Sequence, residues 1–238
     1  MKQSDILVII PAYNEEETIQ RVVDNLIENY PQYDYVVIND CSKDGTREIL
    51  RQNGYNYLDL PINLGIGGGV QSGYKYALEG GYRIAIQMDG DGQHDPASFQ
   101  TGIELIRNGE ADVVVGSRFI NKEGFQSNAM RRLGISFLSA LIRLVCGCRV
   151  KDVTSGYRIV NEKFIRIYAA EYTQDYPEPE AILTARMHRG VVTEIPVVMN
   201  ERTGGTSSIN VVKSVYYMIK VSIAILLFKV TFNGREPA

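Results

Sequence analysis

The chain has little of what marks several large functional classes. Its 238 residues include only three cysteines, Cys41, Cys146 and Cys148, and two histidines. Three thiols make a poor disulfide framework, and two histidines leave no zinc-ligand spacing. The cysteines therefore read as small buried or half-buried thiols in a reducing compartment. Basic charge is not in excess either. Lys and Arg number 25 against 28 Asp and Glu, a formal net charge of −3. That balance gives no global support for nucleic-acid binding. No apolar run reaches the ~18–20 residues of a membrane span. The nearest, Val221 to Phe228, is bracketed by Lys220 and Lys229. Ile6–Ile10 is too short for a signal h-region and meets Pro11, so it reads as a first strand. Internal repeats and low-complexity tracts are missing as well. With 45% hydrophobic and 22% charged residues, the composition is that of a folded domain. The length suits one large domain with an appendage.

What is present is alternation. Strand-like runs at Ile6–Ile10, Tyr35–Ile38, Tyr55–Leu58, Arg83–Met88 and Asp112–Gly116 are separated by helical patterns. In the first of these helices, within Glu15–Tyr30, Ile19, Val22, Val23, Leu26 and Tyr30 recur at helical spacing. The later patterns cover the turn at Ser42–Gly45 through Leu50, then Gly65–Gly81, then Pro96–Arg107. Such alternation predicts a mostly parallel α/β sheet with crossover helices. Ligands of these sheets sit at the carboxyl ends of the strands. Polar clusters fall there: Tyr13-Asn14-Glu15, Asn39-Asp40, Asp89–Asp91 and Ser117-Arg118.

Beyond about residue 120 the pattern changes. Asn128–Cys146 is apolar and basic, Thr154–Val160 and Val191–Val198 read as strands, and Met199–Asn210 as a polar, mobile loop. From Val211 onward the chain is apolar with spaced lysines. Lys213 and Lys220, seven apart, share a helical face with Tyr217, while Val215, Met218, Ile219 and Ser222 point elsewhere. That is an interfacial amphipathic pattern rather than a span, the alternative being an ordinary terminal helix packed on the core or on a second subunit. The expected organisation is a catalytic domain over 1–208 and a membrane-associating or oligomerising helical segment over 209–238.

The strongest chemical signal is Asp89-Gly90-Asp91-Gly92-Gln93-His94-Asp95-Pro96 directly after a strand. Two carboxylates at a strand end suit a hard divalent cation, Mg2+ or Mn2+, which fills its other positions with water and substrate phosphate oxygens. Asp89, Asp91 and Gln93 are the candidate ligands. Such a cation would neutralise a diphosphate leaving group. A glycine-rich run, Asn63-Leu64-Gly65-Ile66-Gly67-Gly68-Gly69, precedes a helix and could bring backbone N–H groups to a phosphate or ribose. It fits neither a Walker loop nor a Rossmann fingerprint.

Together with Pro11 to Glu16, Asn39 to Thr46, Gly116-Ser117-Arg118 and Ser155-Gly156-Tyr157-Arg158, these motifs occur in a recognisable order. The chain resembles family 2 glycosyltransferases of the inverting GT-A type, and among them the dolichyl- or polyprenyl-phosphate mannose and glucose synthases. The resemblance covers roughly residues 5 to 160. It implies a Rossmann-like GT-A fold with C-terminal interfacial helices. It implies that Pro11, Tyr13 and Glu15 line the nucleotide pocket, with Asn63, Gly65 and Gly67 nearby, and that Asp40 accepts a hydrogen bond from the base. The family has aspartate where this chain has Asn39, which adds a donor and removes a charge. The resemblance also implies an acceptor-phosphate cradle from Arg118 with Arg132 and Ser136, four apart on the next helix, the adjacent Arg131 leaving the register open. It places Arg202 on a loop that closes over the donor diphosphate. Glu180, at the start of a helix after Pro177 and Pro179, corresponds to the region that supplies a general base when the acceptor is a hydroxyl.

Acceptor chemistry separates the resulting readings. A phosphate monoester, with a second pKa near ~6, is mostly dianionic and needs positioning by cations. A sugar hydroxyl needs a carboxylate base. The leading expectation is in-line, inverting transfer from a UDP- or GDP-sugar to a polyprenyl phosphate, by an enzyme peripheral on the cytoplasmic membrane face. The second is transfer to a hydroxyl of a surface polysaccharide or lipid-linked glycan, with Glu180 or Asp175 as base. The third is a non-catalytic sugar-nucleotide-binding partner of a membrane protein. A small integral-membrane partner or a homo-oligomer is compatible with each.

Overall fold

The structure, a computed structural model, describes residues 2–121, 123–124, 129–174, 177–199 and 218–227. Seven strands form one sheet: β1 (Ile6–Ala12), β2 (Asp34–Asn39), β3 (Tyr57–Asp59), β4 (Ile84–Gln87), β5 (Val113–Ser117), β6 (Arg158–Asn161) and β7 (Val192–Pro196). Their order is β3-β2-β1-β4-β6-β5-β7. Four of the six pairings are parallel; β6 runs antiparallel between β4 and β5. The fold is thus the expected α/β one, with a single reversed strand.

β1 is buried at all seven positions, as a central strand covered on both faces must be. Its side chains alternate between two cores. Leu7 and Ile9 face a core shared with α3 (Gly65–Glu79), α5 (Ala129–Cys146), α6 (Glu162–Ala170) and α7 (Pro177–Met187). Ile6, Val8 and Ile10 face a second core, closed by α1 (Ile19–Asn29), α2 (Thr46–Gln52) and α4 (Phe99–Arg107). Gly73 lets α3 settle close to the sheet: a Cβ there would lie 2.2 Å from Ile9 Cγ2.

Helix α1 starts at Ile19 rather than near Glu15, because residues 14–16 donate their backbone N–H groups to the next loop. The Pro96–Arg107 pattern opens as a 3-10 turn, with Asp95 accepting from the Ala97 N–H, before α4 begins. β6 starts at Arg158, not Thr154, since Ser155-Gly156 is drawn to the end of β4.

Residues 218–227 are also helical and join the first core through Val221 and Ile225. We label this segment α8. Met218 lies against Gly134 of α5. The expected boundary at 208/209, together with Lys213, Val215 and Tyr217, lies outside the described residues. Among the described residues no helix is long and apolar enough to cross a membrane.

Candidate active site

The strand order reverses direction of travel between β1 and β4, which opens a crevice at their carboxyl ends. Two loops form one wall of it. Asn14, with φ 56°, donates its N–H to Ser42 Oγ and accepts the Lys43 N–H. The Glu15 N–H reaches Thr46 Oγ1, and Glu16 accepts the Gly45 N–H. Asn14 and Glu15 thus lace the first loop to the second. Pro11 is buried at the end of β1, and Tyr13 is exposed on the rim.

Asn39 is buried, and it is spoken for. Its Nδ2 donates to Asp59 at 2.6 Å, and its Oδ1 accepts the Ser42 N–H. The asparagine therefore sits beside a carboxylate, where a second aspartate would meet like charge. Asp40 accepts the Leu64 N–H at 2.7 Å, while its carbonyl accepts from Asn63 Nδ2. Asp40 and Asn63 together hold the entry to α3. Gly65 supplies the positive φ of 75° at which that helix starts. Gly67 has another task. A Cβ there would lie 2.1 Å from the Thr173 carbonyl, so it allows the 173–174 chain to cross α3 and faces backbone rather than a ligand.

The Asp89–Asp91 turn occupies the crevice itself. Thr18 Oγ1 donates to the Gly90 carbonyl at 2.9 Å, tying the turn to α1. Gln93 donates its N–H to Asp91 Oδ1 at 3.0 Å. His94 is buried and accepts the Asp89 N–H at Nδ1, with its ring edge-on to Tyr157. Burial holds this imidazole neutral, lowering its pKa to about 4, so it orders the turn without adding charge. Gly156 makes room for the carboxylate: a Cβ there would lie 2.6 Å from Asp89 Oδ2. Among the described residues no cluster of three or more His, Cys, Asp or Glu side chains forms a metal cage. Two half-buried carboxylates backed by a bare glycine fit a cation that takes its remaining ligands from a substrate and water.

The other wall comes from β5, α5 and α7. Arg118 is buried and forked onto Asp152, with Nε at 2.6 Å and Nη2 at 2.7 Å, and also reaches Thr154. Its guanidinium is anchored by a fully buried carboxylate rather than presented to solvent. Arg132 and Ser136 are exposed on α5. Arg131 follows the inward stripe of Ile135, Leu138 and Ile142, and its charge acts on Glu178. On α7, Glu180 is buried and Glu178 half-buried. Burial, reinforced by the facing Asp89 carboxylate, pushes Glu178 up to about 7, against the pull of its own backbone N–H, Arg158 and Arg131.

The structure therefore brings the Asp89 turn and the first turn of α7 near enough for the Asp89 and Arg131 charges both to act on Glu178. The sequence named Arg131 only as the neighbour that leaves the register of Arg132 open and Gly156 only within a motif, and it gave Glu178 no role. Glu178 and Glu180 share the first turn of α7, about 200° apart around the axis, and only packing decides which one faces Asp89. Arg202 and Asp175 lie outside the described residues.

Comparison with known proteins matches residues 7–167 to the family described as glycosyl transferase family 2. The chain belongs to that family. Undecaprenyl-phosphate mannosyltransferase of Micrococcus luteus is 29% identical, over 86% of this chain and 87% of its own. UDP-N-acetylglucosamine–dolichyl-phosphate N-acetylglucosaminyltransferase of Methanococcus voltae is 32% identical, over 81% and 84%. Glucosyl-3-phosphoglycerate synthase from Mycobacterium tuberculosis, solved with Mn2+ and UDP-glucose, shares the fold at TM-score 0.69 and 18% identity, over 94% of this chain and 78% of that one. The chain is thus a glycosyltransferase with the GT-A fold.

Proposed function

We propose that this glycosyltransferase moves a sugar from a nucleoside diphosphate to a polyprenyl phosphate, by single in-line displacement with inversion, at the cytoplasmic membrane face. The observation that carries the reading is its match to relatives named for polyprenyl- or dolichyl-phosphate acceptors, over more than four-fifths of both chains. The donor lies along the β1 and β2 loops, with its diphosphate directed at Asp89 and Asp91. Those carboxylates hold a divalent cation, Mg2+ or Mn2+, which when bound neutralises charge on the leaving diphosphate. Arg131 and Arg132 attract the acceptor phosphate, which arrives already ionised and needs orientation rather than deprotonation.

The surface supports a lipid acceptor. Met130, Leu133, Phe137 and Leu144 of α5 are 54–77% exposed, and Ile219, Ile223, Leu226 and Leu227 of α8 are 50–57% exposed. Each set follows a helical stripe, and the two helices are in contact. Exposed Arg132 and Arg143 flank this apolar face. Apolar stripes with arginines suit the headgroup boundary of an anionic bilayer. The acceptor's hydrocarbon chain would stay in that bilayer while its phosphate enters the crevice.

The test is transfer of labelled sugar from a panel of UDP- and GDP-sugars to undecaprenyl phosphate with Mg2+ or Mn2+. Organic-extractable product is expected with one donor, and Asp91→Ala should reduce it by about 100-fold or more. Transfer only to a glycan hydroxyl would overturn the reading and give Glu178 the role of base.

A further inference from the structure

Arg158 is the largest fully buried side chain among the described residues. Among the described residues no ion pair satisfies it, and its Nε lacks a hydrogen-bond partner. Gln87 Nε2 and the Tyr74 hydroxyl are unpartnered in the same way. Burying a guanidinium on these terms costs stability that an apolar side chain would not. Its use must lie in what it holds.

The contacts identify that. Arg158 Nη2 donates to the Glu178 carbonyl at 3.0 Å. Nη1 donates to the Tyr172 hydroxyl at 3.4 Å, and that hydroxyl donates to Gln87 Oε1 at 3.1 Å. Gln87 and Arg158 are also register partners across β4 and β6. Tyr74, Tyr168 and Tyr172 pack their rings 5.2–5.5 Å apart beside this chain, and Tyr168 donates to the Ala181 carbonyl. One end of the chain is therefore the first turn of α7. The other lies two residues before Asp89.

We propose that Arg158 and Tyr172 form a buried strut that sets the distance between the Asp89 turn and the first turn of α7, and so positions the Glu178 side chain relative to Asp89. Both are positioning residues; neither touches substrate. The inference rests on the crevice being the sugar-transfer site, but not on the identity of the acceptor. A carboxyl group in that position would set the charge that an acceptor phosphate meets. It would equally face an acceptor hydroxyl.

Tyr172→Phe is the test, because it deletes one hydroxyl and keeps the ring packing. Turnover is read as nucleoside diphosphate release, with and without added polyprenyl phosphate, so that absence of lipid product would sink the lipid reading alone. Tyr172→Phe should lower kcat by about 10- to 100-fold, leave the donor KM nearly unchanged and leave the thermal midpoint within a few degrees. Arg158→Lys keeps the charge but loses the fork, and should show the same split. The deciding comparison is with Glu178→Gln. If the strut acts through Glu178, Glu178→Gln/Tyr172→Phe should be no slower than Glu178→Gln alone. Losses that multiply in the double variant, or an unchanged kcat in Tyr172→Phe, would overturn the proposal.

Discussion

Single residues around this crevice are held by partners that differ from those their chemistry first suggests. Arg118 follows β5 at the crevice edge, but its fork closes on Asp152, itself fully buried. A buried pair of this kind orders the end of β5 more than it offers charge to a ligand. Glu178 is the opposite case, a half-buried carboxyl facing another carboxyl. Its pKa is raised to about 7 in the folded chain, above the ordinary carboxylate range. The folded state therefore holds this proton more tightly than the unfolded state. The associated stability is full below the ordinary carboxylate pKa and is lost as pH rises through about 7. Glu178→Gln keeps the shape and removes the charge. In metal-free protein at pH 8 it should raise the thermal midpoint, with little effect near pH 4, while turnover falls. Calorimetry across that pH range, beside a turnover assay, checks both halves.

Among elements, the loop ahead of β6 matters most. Ser155-Gly156 leaves the expected strand so that a bare Cα can lie against Asp89. Gly156→Ala would place a methyl 2.6 Å from Asp89 Oδ2, and the carboxylate must turn away. The expected result is a rise of about tenfold in the Mn2+ concentration needed for half-maximal activity, with a stability loss of about 1–3 kcal/mol from overpacking. Metal titration of turnover, together with denaturant unfolding, separates the two effects. At the start of α3 the glycines divide their labour. Gly65 serves backbone conformation, Gly67 a chain crossing and Gly73 the approach to β1. A glycine-rich helix entry can look like a phosphate cradle when much of its composition is dictated by packing.

At the scale of the whole molecule, the sheet ends and the apolar surface divide the work. The crevice collects charge at the carboxyl edge of the strands. Helices α5 and α8 bury one side in the core and leave a second apolar side exposed, flanked by arginines. Inserting a leucine-sized side chain into an apolar phase contributes about 1.5–3 kcal/mol. Leu133→Glu/Ile223→Glu should therefore weaken binding to anionic vesicles by about 100-fold or more. Turnover on a short-chain, water-soluble polyprenyl phosphate should be largely retained. Vesicle co-sedimentation and the soluble assay together test this, and unchanged sedimentation would move the membrane contact elsewhere.

Alternating apolar runs were enough to announce the α/β sheet, since strand and helix periods differ and each must bury a face. The Asp89-Gly90-Asp91 turn and the polar residues after β1, β2 and β5 were equally legible, because parallel topology sends strand ends to one edge. The reversed direction of β6 was not, as a short buried strand reads the same both ways. Nor was the choice between Glu178 and Glu180, between Arg131 and Arg132, or the commitment of Asn39 to Asp59 and Arg118 to Asp152. Each depends on which atoms from distant parts of the chain come within about 3 Å, and hydrogen bonds and buried charges act only over that range. Composition and spacing place a side chain on an element; its partner, and hence its protonation and its role, is decided when the elements pack.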